Sequence, residues 1–314
     1  MEEEVFEKCL KKYRGELNVS WDTLATQLNC LSGEILRQRF KRARYKKKLE
    51  SKVGIKNQNV NANILLLDIE TSPMVCFTWK LFDTVLRPES VIHDWFILSW
   101  SAKWLFDSNI MADVLSSQET KDKDDLRIVL GIWDLVDKAD IVITHNGNRF
   151  DLKKLNTRFA FHKMNPPSHY ASIDTFQVAK SNFGFSSNSM DFINGFLGIH
   201  QKTETNFDLW KRCYAGEDKA LKDLCEYNQN DVGILEELYV RLRPWIKGHP
   251  NLGLYMDIED EVCPRCGNTD LSMQGYYYTS LSKYRSFRCE QCGGVARMKK
   301  SELSNAKSKN LMRC

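Results

Sequence analysis

The chain has 314 residues, of which 42% are hydrophobic and 27% are charged, a composition typical of a folded protein with a main domain and one or two small modules. No apolar run approaches the roughly 20 residues of a membrane span, and the acidic start M-E-E-E-V does not have the form of a signal peptide. Four of the ten cysteines form two C-x-x-C pairs and the others are scattered, which is not the pattern of a secreted disulfide framework. We therefore expect a cytoplasmic protein with one metal site of cysteines and no membrane partner.

Residues 1–50 are predicted to form a small all-α unit. Helices are expected over Glu2–Tyr13 and from Trp21 to about Leu28, the second of them capped by Ser20. Ser32 is expected to cap a third helix, whose inward residues are Ile35, Leu36 and Phe40.

The third helix is strongly basic, with eight Lys or Arg residues and no acidic residue from Arg37 to Lys48. A helix, a short turn and a basic helix are similar to a helix-turn-helix, in which the basic helix enters a groove of DNA. Clustered positive charge favours phosphate without specifying a base sequence. The candidate nucleic-acid contacts are Arg37, Arg39, Lys41, Arg42 and Arg44. The alternative is a solvated helical bundle with a lysine-rich tail.

After a polar linker, residues 51–62, the pattern changes to apolar segments that predict an α/β domain over residues 63–255. The first strand contains the apolar run Ile64–Leu67. Further strands are predicted at 75–81, 95–105, 110–115 and 141–144, and helices at 122–138, 152–162 and 221–241. Strands followed by alternating helices and strands indicate a mixed sheet.

The first strand ends in paired carboxylates, within the run N-I-L-L-L-D-I-E-T. Residues two apart in a strand share a face, so Asp68 and Glu70 project together from the end of a buried element. Two carboxylates in this position repel each other unless cations neutralise them. The alternative is a strand that runs into a solvated acidic turn.

The run H-N-G-N-R-F-D leads from the strand at 141–144 into a helix. Gly147 suits the tight turn, and Asp151 lies near the helix start, where the helix dipole favours a carboxylate. Taken alone, Asp151 is an N-cap residue. Asp174, after another short segment, is expected to be a structural cap.

The last long helix carries a phenol and a carboxylate. Tyr227 and Asp231 are four residues apart, so they share one face of this helix beside its apolar stripe. Taken alone, they suit an ordinary hydrogen-bonding pair at the edge of the core.

In this order, the carboxylates and the tyrosine resemble the three exonuclease motifs of the DEDD superfamily. The motifs are matched in turn by Asp68 with Glu70, by Asp151, and by Tyr227 with Asp231. The histidine subtype has His at the position of Glu226, so the domain resembles DnaQ-like, ribonuclease-H-like 3′→5′ exonucleases of the tyrosine subtype (DEDDy). Over about residues 63–250 the sequence, including I-L-S-W-S-A-K-W and E-Y-N-Q-N-D-V, also resembles uncharacterised ribonuclease-H-like proteins of bacteria and phages. The resemblance implies a bacterial cell or a phage-infected host.

The resemblance also implies a ribonuclease-H-like mixed sheet with flanking helices and a site for two Mg²⁺ or Mn²⁺ ions. Such ions prefer carboxylate oxygens, and together they activate water, neutralise the phosphate and assist the leaving 3′-oxygen. By resemblance, Asp68 bridges both ions, Glu70 and Asp231 complete the ion that activates water, and Asp151 holds the other ion.

The remaining site residues have roles around these ions. Tyr227 is expected to orient the attacking water, because a phenol with the ordinary pKa of about 10 is a poor general base at neutral pH. The candidate substrate contacts in the turn are His145, Asn146 and Asn148, for which a role in stabilising the turn is an equal alternative.

Residues 256–298 are predicted to form a zinc ribbon, followed by a basic and mobile tail at 299–314. The knuckles C-P-R-C-G and C-E-Q-C-G supply four thiolates for a closed tetrahedral Zn²⁺ site, namely Cys263, Cys266, Cys289 and Cys292. The segments 276–278 and 284–288 are typical of a hairpin. Redox chemistry is a weak alternative, because neither pair has a thioredoxin-like β-α-β pattern around it. The tyrosines and basic residues of the hairpin suit either nucleic-acid contact or a small core.

The sequence therefore predicts a metal-dependent 3′→5′ exonuclease flanked by two nucleic-acid-binding modules. DNA is the preferred substrate because the N-terminal unit resembles a duplex-DNA reader. An RNA exonuclease and a structure-specific endonuclease on the same fold are alternatives. A non-catalytic, nucleic-acid-binding regulatory protein is a further alternative, against which the intact set of motif residues argues.

Overall fold

The computed structural model of the protein describes residues 3–13, 17–28, 32–33, 36–37, 40, 60–80, 82, 85–199 and 205–312. The chain divides into two units, Met1–Lys56 and Asn57–Cys314. Several predictions fall outside the described residues: Ile35, most of the linker at 51–62, and the candidate DNA contacts Arg39, Lys41, Arg42 and Arg44.

The first unit contains helices α1 (Glu3–Tyr13) and α2 (Trp21–Gln27). The Oγ of Ser20 accepts a hydrogen bond from the Thr23 N–H at 2.9 Å, which confirms the predicted cap of α2. Leu36 and Phe40 are buried in one cluster with side chains of both helices, as predicted for the inward side of the third helix. Arg37 is exposed. The helix-turn-helix itself stays a prediction.

The second unit is built on a mixed sheet. Its strands are β1 (Ile64–Thr71), β4 (Ile97–Trp104), β5 (Ile110–Val114), β6 (Ile141–Thr144) and β7 (Ala171–Asp174), and a small hairpin of β2 (Val75–Cys76) and β3 (Val91–His93) follows β1. The five strands of the sheet have the order β5-β4-β1-β6-β7. Central β1 runs antiparallel to β4 and parallel to β6. Outer β5 is antiparallel to β4, and β7 is parallel to β6.

Seven helices of this unit surround the sheet: α3 (Ser117–Asp122), α4 (Leu126–Asp137), α5 (Asp151–Phe161), α6 (Thr175–Asn182), α7 (Met190–Leu197), α8 (Phe207–Tyr214) and α9 (Asp218–Leu242). They cover two buried apolar clusters. One contains Leu65 and Leu67 of β1 with side chains of α4, α5 and α8, and the other contains Ile64 and Leu66 with side chains of α6 and α7. The predicted mixed sheet with flanking helices is therefore confirmed.

Two predicted elements of this domain are wrong in extent. The strand expected at 75–81 is limited to the two residues of β2. The helix expected at 122–138 begins only at Leu126, because Lys123 adopts a left-handed conformation with φ 58° that ends the preceding helix α3. A capping box between Ser116 and Glu119 starts α3 upstream of the expected helix.

The C-terminal residues form a three-stranded sheet of β8 (Leu271–Tyr278), β9 (Lys283–Cys289) and β10 (Val295–Arg297), in the order β10-β9-β8. The predicted hairpin corresponds to β8 and β9, and β10 was not predicted. The tail folds back on this sheet rather than leaving it, since the Glu302 N–H donates to the Lys283 carbonyl at 2.8 Å before helix α10 (Asn305–Lys309). None of the described helices combines the length and hydropathy required to span a bilayer.

Candidate active site

Three carboxylates meet where the end of β1 lies against α9. The alternation of β1 puts Asp68 and Glu70 on the side of Ile64 and Leu66. One carboxylate oxygen from each of these residues and one from Asp231 of α9 lie within 4.8 Å of one another. Asp231 is buried, and the two residues of β1 are partly buried. Such crowded negative charge is costly away from water, so this place in the fold favours a bound cation.

Tyr227 lies one helical turn before Asp231, on the same side of α9. Its ring faces the Trp210 indole edge-on, with centroids 6.0 Å apart. The Nε1–H of Trp210 donates to the Glu70 Oε2 at 3.2 Å. Trp210, from α8, therefore links the phenol of α9 to the carboxylate of β1. Sequence reasoning missed this tryptophan, because nothing in its local pattern connects α8 to β1.

The side chain of Asn228 is hydrogen-bonded to the carboxylate of Asp68. It is completely buried, and its Nδ2–H donates to the Asp68 Oδ2 at 2.6 Å. The hydroxyl of Ser99 in β4 in turn donates to the Asn228 Oδ1 at 3.3 Å. The motif analysis missed Asn228 as well. Its position three residues before Asp231 was the available signal, because residues three apart share a helix face.

Asp151 occupies a different position from the other three carboxylates. It is the first residue of α5, with Phe150 in the cap position, so it is not the N-cap that its place alone suggested. Its buried Oδ1 accepts a hydrogen bond from the N–H of Ile69 at 3.1 Å. Ile69 stands between the two acidic residues of β1. Asp151 thus lies next to the carboxylate cluster but outside the group of three that share the 4.8 Å limit.

The turn between β6 and α5 is organised by Asp174. Its side chain accepts from the Phe176 and Gln177 N–H groups, which confirms the predicted cap, now seen to start α6. It also accepts from the Asn146 N–H at 2.8 Å and the Asn148 N–H at 3.3 Å. These contacts use backbone N–H groups, so they stabilise the turn, and the roles of the two asparagine side chains stay predictions.

His145 and Gly147 complete the same turn. The His145 ring is hydrogen-bonded through Nδ1 to the Thr175 hydroxyl at 2.9 Å and through Nε2 to the Asn188 carbonyl at 3.0 Å. These bonds also favour a structural role. Gly147 is packed so closely that a Cβ there would lie 2.3 Å from the Thr144 Oγ1, so only glycine fits the bend.

The donor set of the carboxylate cluster fits Mg²⁺ or Mn²⁺. These hard cations take oxygen ligands and seldom require a cage of protein atoms alone. Asp68, Glu70 and Asp231 offer such oxygens at spacings that one or two ions can bridge, and Asp151 lies beside them. Among the described residues, the cluster of three and the four cysteines are the groups of metal-ligating side chains that converge in this way.

The four cysteines of the C-terminal sheet fit a tetrahedral zinc site. All four are buried, and their Sγ atoms lie within 4.8 Å of one another. The Sγ atoms of Cys263 and Cys292, and those of Cys266 and Cys289, are 3.6 Å apart. This matches the edge of about 3.8 Å that four Zn–S bonds of about 2.3 Å imply. Hydrogen bonds among the thiols lower the pKa of Cys289 and raise that of Cys266, so the four groups share their protons rather than titrating independently.

Comparison with known proteins adds one family. Residues 106–243 match the model of the RNase_H superfamily, and no curated protein matches the sequence significantly. The matched region contains Asp151, Tyr227 and Asp231 and begins after β1. A match to this superfamily indicates nuclease-type activity on nucleic acid. With the strand order and flanking helices, it shows that the domain after the N-terminal unit has a ribonuclease-H-like fold.

Proposed function

We propose that the protein is a metal-dependent 3′→5′ exonuclease. The observation that carries this proposal is the meeting of Asp68, Glu70 and Asp231 within 4.8 Å on a ribonuclease-H-like fold. The position of Tyr227 one turn from Asp231 supports the tyrosine subtype of the resemblance. The 3′→5′ direction of cleavage and the assignment to the tyrosine (DEDDy) subtype are both part of this proposal.

The carboxylates would hold the divalent ions, and bound ions of this kind activate water and neutralise charge at phosphorus. Asp68, Glu70 and Asp231 offer convergent oxygens, with Asp151 supporting them from the start of α5. Asn228 fixes the orientation of Asp68, and Trp210 fixes that of Glu70. Tyr227 would orient a water molecule at this cluster. The role of the protein is thus to hold charge and water in position before the substrate arrives.

DNA is the proposed substrate. The basic charge of the N-terminal unit supports it, with Arg37 exposed beside the buried Leu36 of that unit. The zinc ribbon, with Zn²⁺ on Cys263, Cys266, Cys289 and Cys292, is proposed as a second module. RNA as substrate and endonucleolytic cleavage remain the alternatives that the experiment separates.

The test is degradation of 5′-labelled single-stranded DNA, duplex DNA and RNA with Mg²⁺ or Mn²⁺. The full-length protein should give a ladder that shortens from the 3′ end. Asp68→Asn should slow it by at least about a thousandfold, because it removes a charge that holds the ions. Asp134→Asn, an exposed aspartate of α4, is the matched control and should cleave normally.

Internal products would show an endonuclease. Tight binding without cleavage by the unaltered protein would show a binding protein.

A further inference from the structure

The C-terminal sheet exposes aromatic side chains that zinc binding does not use. In β8, Tyr276, Tyr277 and Tyr278 are 44%, 50% and 66% exposed. The buried core of this module is the cysteine cluster, against which Leu271 packs. The tyrosines are therefore not needed to fill a core, and their exposure calls for another explanation.

Strand pairing sorts these residues onto two faces. Tyr277 is paired with Tyr284 across β8 and β9, whereas Tyr276 and Tyr278 are paired with Arg285 and Lys283 on the opposite face. Arg297 of β10 joins the first face, with its guanidinium 4.0 Å from the Tyr284 ring centroid and 5.4 Å from that of Tyr277. Arg288 follows Tyr284 by four residues and points to the same side. We name Tyr277, Tyr284, Arg288 and Arg297 the Tyr277 face.

The arginine of the opposite face is already neutralised by carboxylates, and its lysine, like Arg297, lies against a tyrosine ring. Arg285 forms ion pairs with Glu302 at 3.1 Å and with Glu261 at 3.6 Å. The Lys283 ammonium lies 3.5 Å from the centroid of the Tyr276 ring, and it also approaches Tyr278. Arg285 thus contacts the tail through Glu302, and Lys283 contacts a tyrosine of its own face.

The Tyr277 face has the contrasting charge pattern. Arg297 donates to the Met298 carbonyl and Arg288 to the Gly293 carbonyl, and neither makes an ion pair with any carboxylate of the described residues. Both arginines are exposed. Two uncompensated guanidinium groups beside two aromatic rings are complementary to a polyanion that also presents flat, apolar surfaces.

We propose that the Tyr277 face binds an unpaired stretch of a nucleic-acid strand. A base would stack on Tyr277 or Tyr284, and Arg288 and Arg297 would contact the phosphates on either side. Stacking requires a base outside a duplex, so the preferred ligand is single-stranded. The site extends the proposed nuclease function, since it would hold the strand at a second point. It uses none of the carboxylates of β1 or α9.

The test measures binding without cleavage, so the outcome does not depend on the nuclease activity. The full chain carrying Asp68→Asn, with its zinc retained and without added Mg²⁺ or Mn²⁺, is titrated against a fluorescent oligothymidylate of about 20 nucleotides and against an abasic strand of equal length. Tyr277→Ala should weaken oligothymidylate binding by at least about fivefold and leave abasic binding unchanged. Arg297→Ala should weaken both and reduce the slope of log K against log salt by about 0.7.

Tyr278→Ala is the matched control, because Tyr278 is the neighbouring and more exposed tyrosine of the same strand but lies on the opposite face. It should bind like the parent chain. Zinc content, measured with a chromogenic chelator, should be equal in all variants and shows that the module is folded. Equal affinity of Tyr277→Ala and Tyr278→Ala for oligothymidylate would overturn the proposal and leave the face to a protein partner.

Discussion

Asn228 connects the interior of the domain to the candidate metal site. It bridges Ser99 of β4 and Asp68 of β1, although it belongs to neither strand. A buried amide that donates to a carboxylate fixes the rotamer of that carboxylate and keeps its other lone pairs directed toward a cation. Asn228 is a positioning residue by this argument, because its contacts are with protein atoms.

Replacing Asn228 with Ala should therefore change metal use more than folding. We expect activity about tenfold to a hundredfold lower, with the Mg²⁺ midpoint shifted to higher concentration, because Asp68 loses its orientation. The measurement is the initial rate against Mg²⁺ concentration, with the thermal unfolding midpoint measured alongside. Gln229→Ala, at the next and less buried position, is the control. A lower unfolding midpoint with an unchanged Mg²⁺ midpoint would give Asn228 a structural role only.

The pairing of Asp68 with Glu70 and of Tyr227 with Asp231 was predictable at this scale, but the residues that contact these pairs were not. Asp68 and Glu70 share a face because a strand alternates, and Tyr227 and Asp231 share one because a helix repeats. Trp210 reaches Glu70 only because α8 packs beside β1 in the folded domain. Such a contact depends on tertiary packing, which local periodicity does not encode.

At the scale of elements, the segment after α9 contains a partly buried histidine, His249. His249 Nε2 bonds the hydroxyl of the buried Tyr239 at 2.9 Å, and its Nδ1 bonds the Pro250 carbonyl at 2.7 Å. A carbonyl only accepts, so Nδ1 carries the proton and Nε2 accepts from the phenol. Burial lowers the pKa of His249 from 6.5 to about 4, since this site disfavours the imidazolium.

This pKa predicts a loss of stability in acid. Between the ordinary pKa of about 6.5 and the folded value of about 4, the unfolded chain binds a proton that the folded chain does not. The stabilisation is complete above the higher pKa and is lost as the pH falls, by about 1.4 kcal/mol per pH unit and about 3 kcal/mol in all. The free energy of unfolding, measured with urea at several pH values between about pH 7 and pH 5, should fall less steeply with decreasing pH in His249→Asn than in the parent protein. His169→Asn, at an exposed histidine, should keep the parent slope. Equal slopes in all three proteins would contradict the prediction.

Long elements were predicted better than short ones. Residues of β1, β4 and α9 keep a clear apolar pattern over eight residues or more, and each of these elements was found close to its expected bounds. The start of α4 was predicted four residues too early, because Lys123 adopts its left-handed conformation without the glycine that usually marks one. The short β10 has three residues, too few to show a period of two.

At the scale of the whole second unit, the cysteine module is joined to the ribonuclease-H-like domain. The Leu252 N–H donates to the Pro264 carbonyl at 2.8 Å, and the Arg265 Nε–H donates to the Ile246 carbonyl at 3.1 Å. Leu252 and Ile246 belong to the second apolar cluster of the domain, which also contains Val232 and Leu235 of α9. The C-x-x-C spacing predicted the module but not this connection, which joins Pro264 and Arg265 of the first knuckle to Leu252 and Ile246 upstream of it.

Because of these bonds, the effect of zinc loss on the ribonuclease-H-like domain can be tested separately from its effect on the cysteine module. Cys263→Ser should release the ion and unfold the three-stranded sheet, because so small a module has little apolar core besides its metal ligands. The carboxylate cluster is formed by β1 and α9, so Mg²⁺-dependent cleavage of very short oligonucleotides should stay within about twofold of the parent rate. Long single strands should be degraded at least about fivefold less efficiently, since the Tyr277 face is lost.

Metal analysis and rates on both substrate lengths measure this, with Cys76→Ser, outside the cysteine cluster, as the control. An equal loss on both substrates would mean that the bonds from Leu252 and Arg265 transmit the unfolding to the domain, and that the cysteine module is part of the catalytic fold.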